Sequence, residues 1–351
     1  MNYLVLLMFL CCASVQASDV PPNWPWRGIA IESNGGDSDT IEIARLAKLH
    51  VNAVELMLTI RSTAQYGPMT PEAALDTNLM WADRMLDACK QHGMVGIITF
   101  SDMLIDPELP PADSPDFWGN PQRLAEAEDL VGKLAQHFKS RGNELGAYEI
   151  LSEPLVRRPP DIQETPRQWP QFRDEIIRKI RKYDSDRYVI VTPGFGGESS
   201  SYQDFKPLHH SRIIYGVHVY NPHGYSHQGL YDFPRGISYP AQFDRHTLEG
   251  NMKYLIDFKD KYHALIYVGE FSAVRWAPGA NQYVSDLIDL FDKHGFSWMY
   301  FCYNSYHAWS PFYDEQYVTK DESPSPQSWV GFGSKRWAVL KQAFSRNGLE
   351  R

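Results

Sequence analysis

Eight apolar runs rich in β-branched residues recur along the chain at regular intervals, and helical patterns fill the stretches between them. The runs are 27–31 (RGIAI), 51–58 (VNAVELML), 94–100 (MVGIITF), 146–151 (GAYEIL), 188–192 (YVIVT), 213–220 (IIYGVHVY), 265–269 (LIYVG) and 298–303 (WMYFCY). Several are almost continuously hydrophobic, as strands covered on both faces must be. The intervening helices are expected at 40–49, 71–92, 121–140, 166–183, 247–262, 281–294 and 335–345. Thr70-Pro71-Glu72 supplies a capping residue and a first-turn proline, while Gly93 and Gly295 mark ends. The fifth link, near 200–208, is short and weakly helical. A length of 351 residues allows one large domain or two ordinary ones. With no linker, repeat or break in composition, the alternation predicts a single-domain α/β fold, a (β/α)8 TIM barrel. The rival, a doubly wound open sheet, lacks a glycine-rich phosphate loop after its first strand.

The N-terminus is expected to stand apart from this fold. Residues 3–12 (YLVLLMFLCC) are apolar but too short to span a bilayer, and small residues follow. They fit a signal peptide cleaved after Ala17, hence a secreted or periplasmic protein, with a lipoprotein signal at Cys11 or Cys12 as the alternative. Export leaves Cys89 and Cys302, expected as two buried free thiols. With 43 acidic against 34 basic residues the balance disfavours nucleic acid. No later segment reads as a membrane span, no cofactor is implied, and a monomer is expected.

Barrel active sites are built where the strands end. The fourth run ends in Leu151-Ser152-Glu153-Pro154 and the seventh in Val268-Gly269-Glu270-Phe271. Each puts a glutamate, a poor strand residue, at the rim, on opposite sides of an eight-membered ring. One such glutamate is ordinarily a rim salt bridge. Two facing each other supply what glycoside hydrolysis needs, an acid for the leaving oxygen and a base or nucleophile. His218 and Tyr220 alternate along the sixth run, so both can face the pocket.

YEILSEP at 148–154, VHVYNPHG at 217–224 and VGEFS at 268–272 resemble the fourth-, sixth- and seventh-strand motifs of glycoside hydrolase family 5, the cellulase-like retaining glycosidases. The resemblance extends through WRGIAIE at 26–32, residues 117–141 and WMYFCYNSYHAW at 298–309. It implies Glu153 as acid/base and Glu270 as nucleophile, about 5–5.5 Å apart. It also implies that His218 and Tyr220 hold the two carboxylates, and that the partner is a β-linked oligo- or polysaccharide of glucan or mannan type. For these roles Glu153 should be protonated and Glu270 ionised.

Four positions depart from the family's pattern. Ser152 stands where an asparagine binds the sugar 2-hydroxyl, and the second strand offers Glu55 instead of an arginine. Thr99-Phe100-Ser101-Asp102 replaces a histidine, and Phe301 stands near the usual stacking tryptophan. The changed surroundings leave a second reading open, a catalytically weakened barrel that binds carbohydrate. Trp118, Trp276 and Trp309 are candidates for stacking on sugar rings or for filling the core. His223 and His227, with His209-His210 upstream, suggest a metal-dependent hydrolase only weakly, since Pro222 and Gly224 mark a loop and no ligand set accompanies them. The loop is expected to line the cleft. Gly194-Phe195-Gly196-Gly197 lacks a nucleophile-elbow serine.

Overall fold

A computed structural model describes residues 20–33, 39–58, 70–100, 112–158, 162–319 and 322–348. The expected signal peptide and its Ala17 boundary, like Ser101 and Asp102, lie outside the described residues. Eight parallel strands close into a barrel: β1 (Arg27–Glu32), β2 (Ala53–Leu58), β3 (Val95–Phe100), β4 (Leu145–Ile150), β5 (Tyr188–Val191), β6 (Ile213–Val219), β7 (Ile266–Phe271) and β8 (Ser297–Tyr300). Each pairs with its sequence neighbours, and β8 returns to β1 with Arg27 opposite Trp298. The fold class is the expected one.

The strands form where the sequence is apolar on both faces, because each separates two cores. Trp26, Ala53, Val95, Ile97, Ala147, Ile190, Ile214, Tyr267 and Met299 fill the barrel interior. The alternate residues, among them Val54, Leu56, Ile98, Tyr148, Val217 and Val268, pack outward against the helices. Helix ends follow their local signals. Thr70 accepts from the amide of Ala73 at the start of Pro71–Gln91, and Gly295, at φ 67°, closes Ala280–His294. The stretch expected as one helix over 247–262 divides into Arg245–Asn251 and Lys253–Tyr262 at Met252. The weak fifth link is two short 3-10 turns, Phe195–Gly197 and Ser199–Tyr202. An unexpected antiparallel hairpin, Val156–Arg158 with Ile162–Glu164, follows β4 at the barrel mouth.

Cys89 and Cys302 are buried free thiols, as expected, and burial pushes both up to about 12. Among the described residues no helix is long and apolar enough to cross a membrane.

Candidate active site

Two backbone irregularities aim the glutamates. On β7, Val217 pairs with Val268 and His218 with Glu270, so Gly269 is an extra residue in the ladder. Without that bulge the alternation that points Tyr267 inward would turn Glu270 toward the helices; with it, Glu270 faces the mouth. At the end of β4, buried Leu151 adopts φ 47°, a left-handed conformation costly for a non-glycine residue. The chain turns there and delivers Glu153 to the cleft.

The cleft, about 710 Å³, is lined by both glutamates together with Tyr220, His223, His227, Phe301 and Trp309. One oxygen of each carboxylate and a ring nitrogen of His218 lie within 4.8 Å of one another. His218 Nδ1 is 2.8 Å from Glu153 Oε1 and 3.9 Å from Glu270 Oε2. The Tyr220 hydroxyl donates to Glu270 Oε2 at 2.8 Å. Among the described residues this is the one carboxylate–imidazole group tight enough to hold a cation. It is equally a set built to share protons.

The protonation pattern differs from the expected one. Enclosure at the cleft floor raises the Glu153 carboxyl, but the hydrogen bond and charge of His218, with Arg157 and His223 beyond, outweigh it and hold the group below its usual range. Glu270 is pushed up by burial and by the Glu153 charge, against the opposing His218 charge and Tyr220 hydroxyl. Burial alone would depress His218, yet the charges of Glu270, Glu153 and Glu149 carry it to about 10. In the unliganded site the mobile proton therefore sits on His218, shared with Glu153. The reason is geometric, since the cationic neighbours gather on the Glu153 side.

The sequence-derived residues divide as follows. Glu153, Glu270, His218 and Tyr220 meet as expected. Phe301 and Trp309 line the cleft with their rings 5.9 Å apart, and His223 and His227 line it too. The His227 ring packs against both Tyr220 and Trp309, 5.1 Å from each, and burial first, then the neighbouring His223, lowers it to about 4. Ser152 is buried behind the cleft wall, its short side chain outside the lining. Trp118 is corrected outright. It is 3% exposed, donates to the Ala112 carbonyl at 2.6 Å, and packs edge-on against Phe117, Trp169 and Phe172 in the core. Trp276 likewise stays outside the lining and donates to Gln228 O at 2.7 Å.

Several cleft residues carried no functional signal read from the sequence. Arg157 and Gln163 arrive on the hairpin, and Phe195 and Glu198 on the turns after β5. Glu198 accepts from Asn221 Nδ2 at 2.6 Å, tying that turn to the loop after β6.

Residues 22–307 match the model of the cellulase family, glycosyl hydrolase family 5. The chain belongs to glycosyl hydrolase family 5. It is a glycosidase, and the family implies β-glycoside hydrolysis. Endoglucanase C of Acetivibrio thermocellus is 22% identical over 266 residues, covering 64% of this chain and 73% of that one. Cellodextrinase A of Ruminococcus flavefaciens is 25% identical over 231 residues, 61% and 64% of the two chains. Among solved structures, Thermotoga maritima Cel5A in complex with mannotriose superposes with TM-score 0.66 at 19% identity, covering 92% of this chain and 98% of that one. The same enzyme in complex with cellobiose gives 0.66 at 18%, covering 91% and 97%. These likenesses place the family 5 barrel; the geometry above is this chain's own.

Proposed function

We propose that this family 5 glycosidase cleaves β-linked saccharides of glucan or mannan type with retention, Glu153 serving as acid/base and Glu270 as nucleophile. The carrying observation is the approach of the two carboxylates to within 4.8 Å. That spacing supports direct attack on the sugar, being shorter than the roughly 6.5–9.5 Å at which an inverting pair admits its water. Glu270 attacks the anomeric carbon while the bond to the leaving oxygen breaks and Glu153 protonates that oxygen. Glu153 then deprotonates a water that attacks the same carbon and releases Glu270.

Glu153 must be neutral for the first step, whereas the unliganded site charges it. Its side chain is 41% exposed to the cleft. A sugar seated over that edge removes its hydration, which favours the neutral carboxyl and draws the shared proton from His218 across the 2.8 Å bond. The Tyr220 hydroxyl meanwhile holds Glu270 in its attacking orientation. Trp309 and Phe301 offer ring surface to sugar faces. The cellobiose and mannotriose complexes of the Thermotoga enzyme support the choice of substrate class.

Soluble β-glucan, β-mannan and aryl β-glycosides assayed on the purified chain, with and without a chelator, test this reading. At least one is expected to be cleaved at a rate the chelator leaves unchanged. Saccharide binding with no cleavage of any would overturn it, and abolition by the chelator would replace it with metal-dependent chemistry.

A further inference from the structure

Beneath the cleft floor two buried polar atoms have no hydrogen-bond partner in the protein: His218 Nε2 and Glu149 Oε1. Their residues are 4% and 1% exposed. Both face the same small space. The point that a Cβ on Gly269 would occupy lies 3.3 Å from His218 Nε2 and 3.4 Å from Glu149 Oε1. The corresponding point on Gly216, one strand over, is also 3.4 Å from that oxygen. The glycines of β6 and β7 thus leave a donor and an acceptor looking at each other across room that any side chain would have filled. Leaving either group unsatisfied costs about 1–3 kcal/mol. One ordered water satisfies both.

We propose that Glu149 is a positioning residue of the catalytic site, holding the His218 imidazole doubly protonated through a water lodged between β6 and β7. The inference rests on the reading of Glu153 and Glu270 as the catalytic pair and adds a third carboxylate beneath them. In this arrangement His218 donates from Nε2 through the water to Glu149, which fixes the ring and turns Nδ1–H toward Glu153. The groups facing Glu149 come from every neighbouring strand. Thr99 of β3 donates to Oε2 at 3.1 Å, and Glu55 of β2, Tyr267 and Glu270 of β7, His218 of β6, Glu153 beyond β4 and Tyr202 beyond β5 complete the set. Glu55 accepts from the Tyr267 hydroxyl at 2.7 Å, and burial, with the Glu149 charge added, keeps it well above the usual range and neutral. Glu149 is pushed up by burial, against the His218 charge and the Thr99 hydroxyl, to about 7. It is therefore an interior carboxyl that changes charge near neutrality.

Glu149→Gln keeps the shape and removes the charge. Loss of a nearby negative charge makes His218 easier to deprotonate, by roughly one pH unit for a neighbour at this range. Nitrogen-15 NMR of His218, assigned by the signal lost in His218→Gln, is expected to show both ring nitrogens protonated at pH 7 in the parent protein. In Glu149→Gln the single-proton tautomer is expected about one unit earlier, and the alkaline limb of kcat/KM is expected to move down with it. A superimposable His218 titration would overturn the proposal. Should Glu149→Gln not fold, the parent protein carries the test. Its His218 signals are expected to respond as carbon-13-labelled Glu149 titrates near pH 7, and indifference to that step would equally overturn it. Because NMR reads no turnover, a shifted titration in a chain that cleaves nothing would sink the catalytic reading and leave this one standing.

Discussion

Arg157 reaches the cleft from the hairpin after β4, with Asp113 accepting from its Nε at 3.0 Å. Its charge is one of those that hold Glu153 low. Glu153 must carry a proton to act as an acid, so removing that charge favours the working form. Arg157→Gln is expected to move the alkaline limb of kcat/KM to higher pH by a few tenths of a unit, a small step because the arginine is half exposed. A shift to lower pH in the rate profile would show that the proton shared by Glu153 and His218 is not the one behind that limb. The site residues most legible in the sequence were those at strand ends, because there a glutamate breaks an apolar run. Glu149 was not, since it lies inside the run 146–151 and nothing in spacing distinguishes a lumen carboxyl from an outward one. Glu55 was noticed as a departure, but its neutral pairing with Tyr267 depends on a strand five positions further round in chain order.

At the scale of elements, local signals located strands and caps and failed where tertiary contacts decide. The hairpin over 156–164 is rich in arginine and proline, a composition that signals only a loop. The Gly269 bulge was invisible, because a glycine in a strand pattern does not announce which way its neighbours turn. The loop after β8, which brings Trp309 to the cleft, is fastened by Arg275. This residue is 4% exposed and donates to the carbonyls of His307, Asp314 and Gln316 at 3.2, 2.5 and 2.5 Å. Arg275→Ala leaves three carbonyls without their donor, at a cost of about 1–3 kcal/mol for each that water does not reach. Thermal unfolding is expected several degrees lower, with KM raised several-fold and kcat changed less, because in the proposed reading Trp309 offers its ring to the sugar and takes no part in proton transfer. An unaltered KM in a destabilised variant would separate the loop from substrate binding.

The whole molecule was legible as a barrel because eight alternations admit few other closures. What closure adds is the meeting of β4 and β7 chain ends, which no stretch of sequence contains. The same closure explains the misplacement of Trp118. A large ring shortly after a strand can lie over the cleft or under the neighbouring helix, and the packing of Phe117, Trp169 and Phe172 takes it into the core. The proposed mechanism requires Glu153 and Glu270 to act as a pair across the ring, with Glu270 attacking. The most direct test is the product formed when azide is supplied to Glu270→Ala acting on an aryl β-glycoside. With the nucleophile gone, azide occupies its side of the sugar, and the expected outcome is restored turnover giving an α-glycosyl azide, inverted relative to the substrate. Azide rescue appearing only in Glu153→Ala would contradict the assignment.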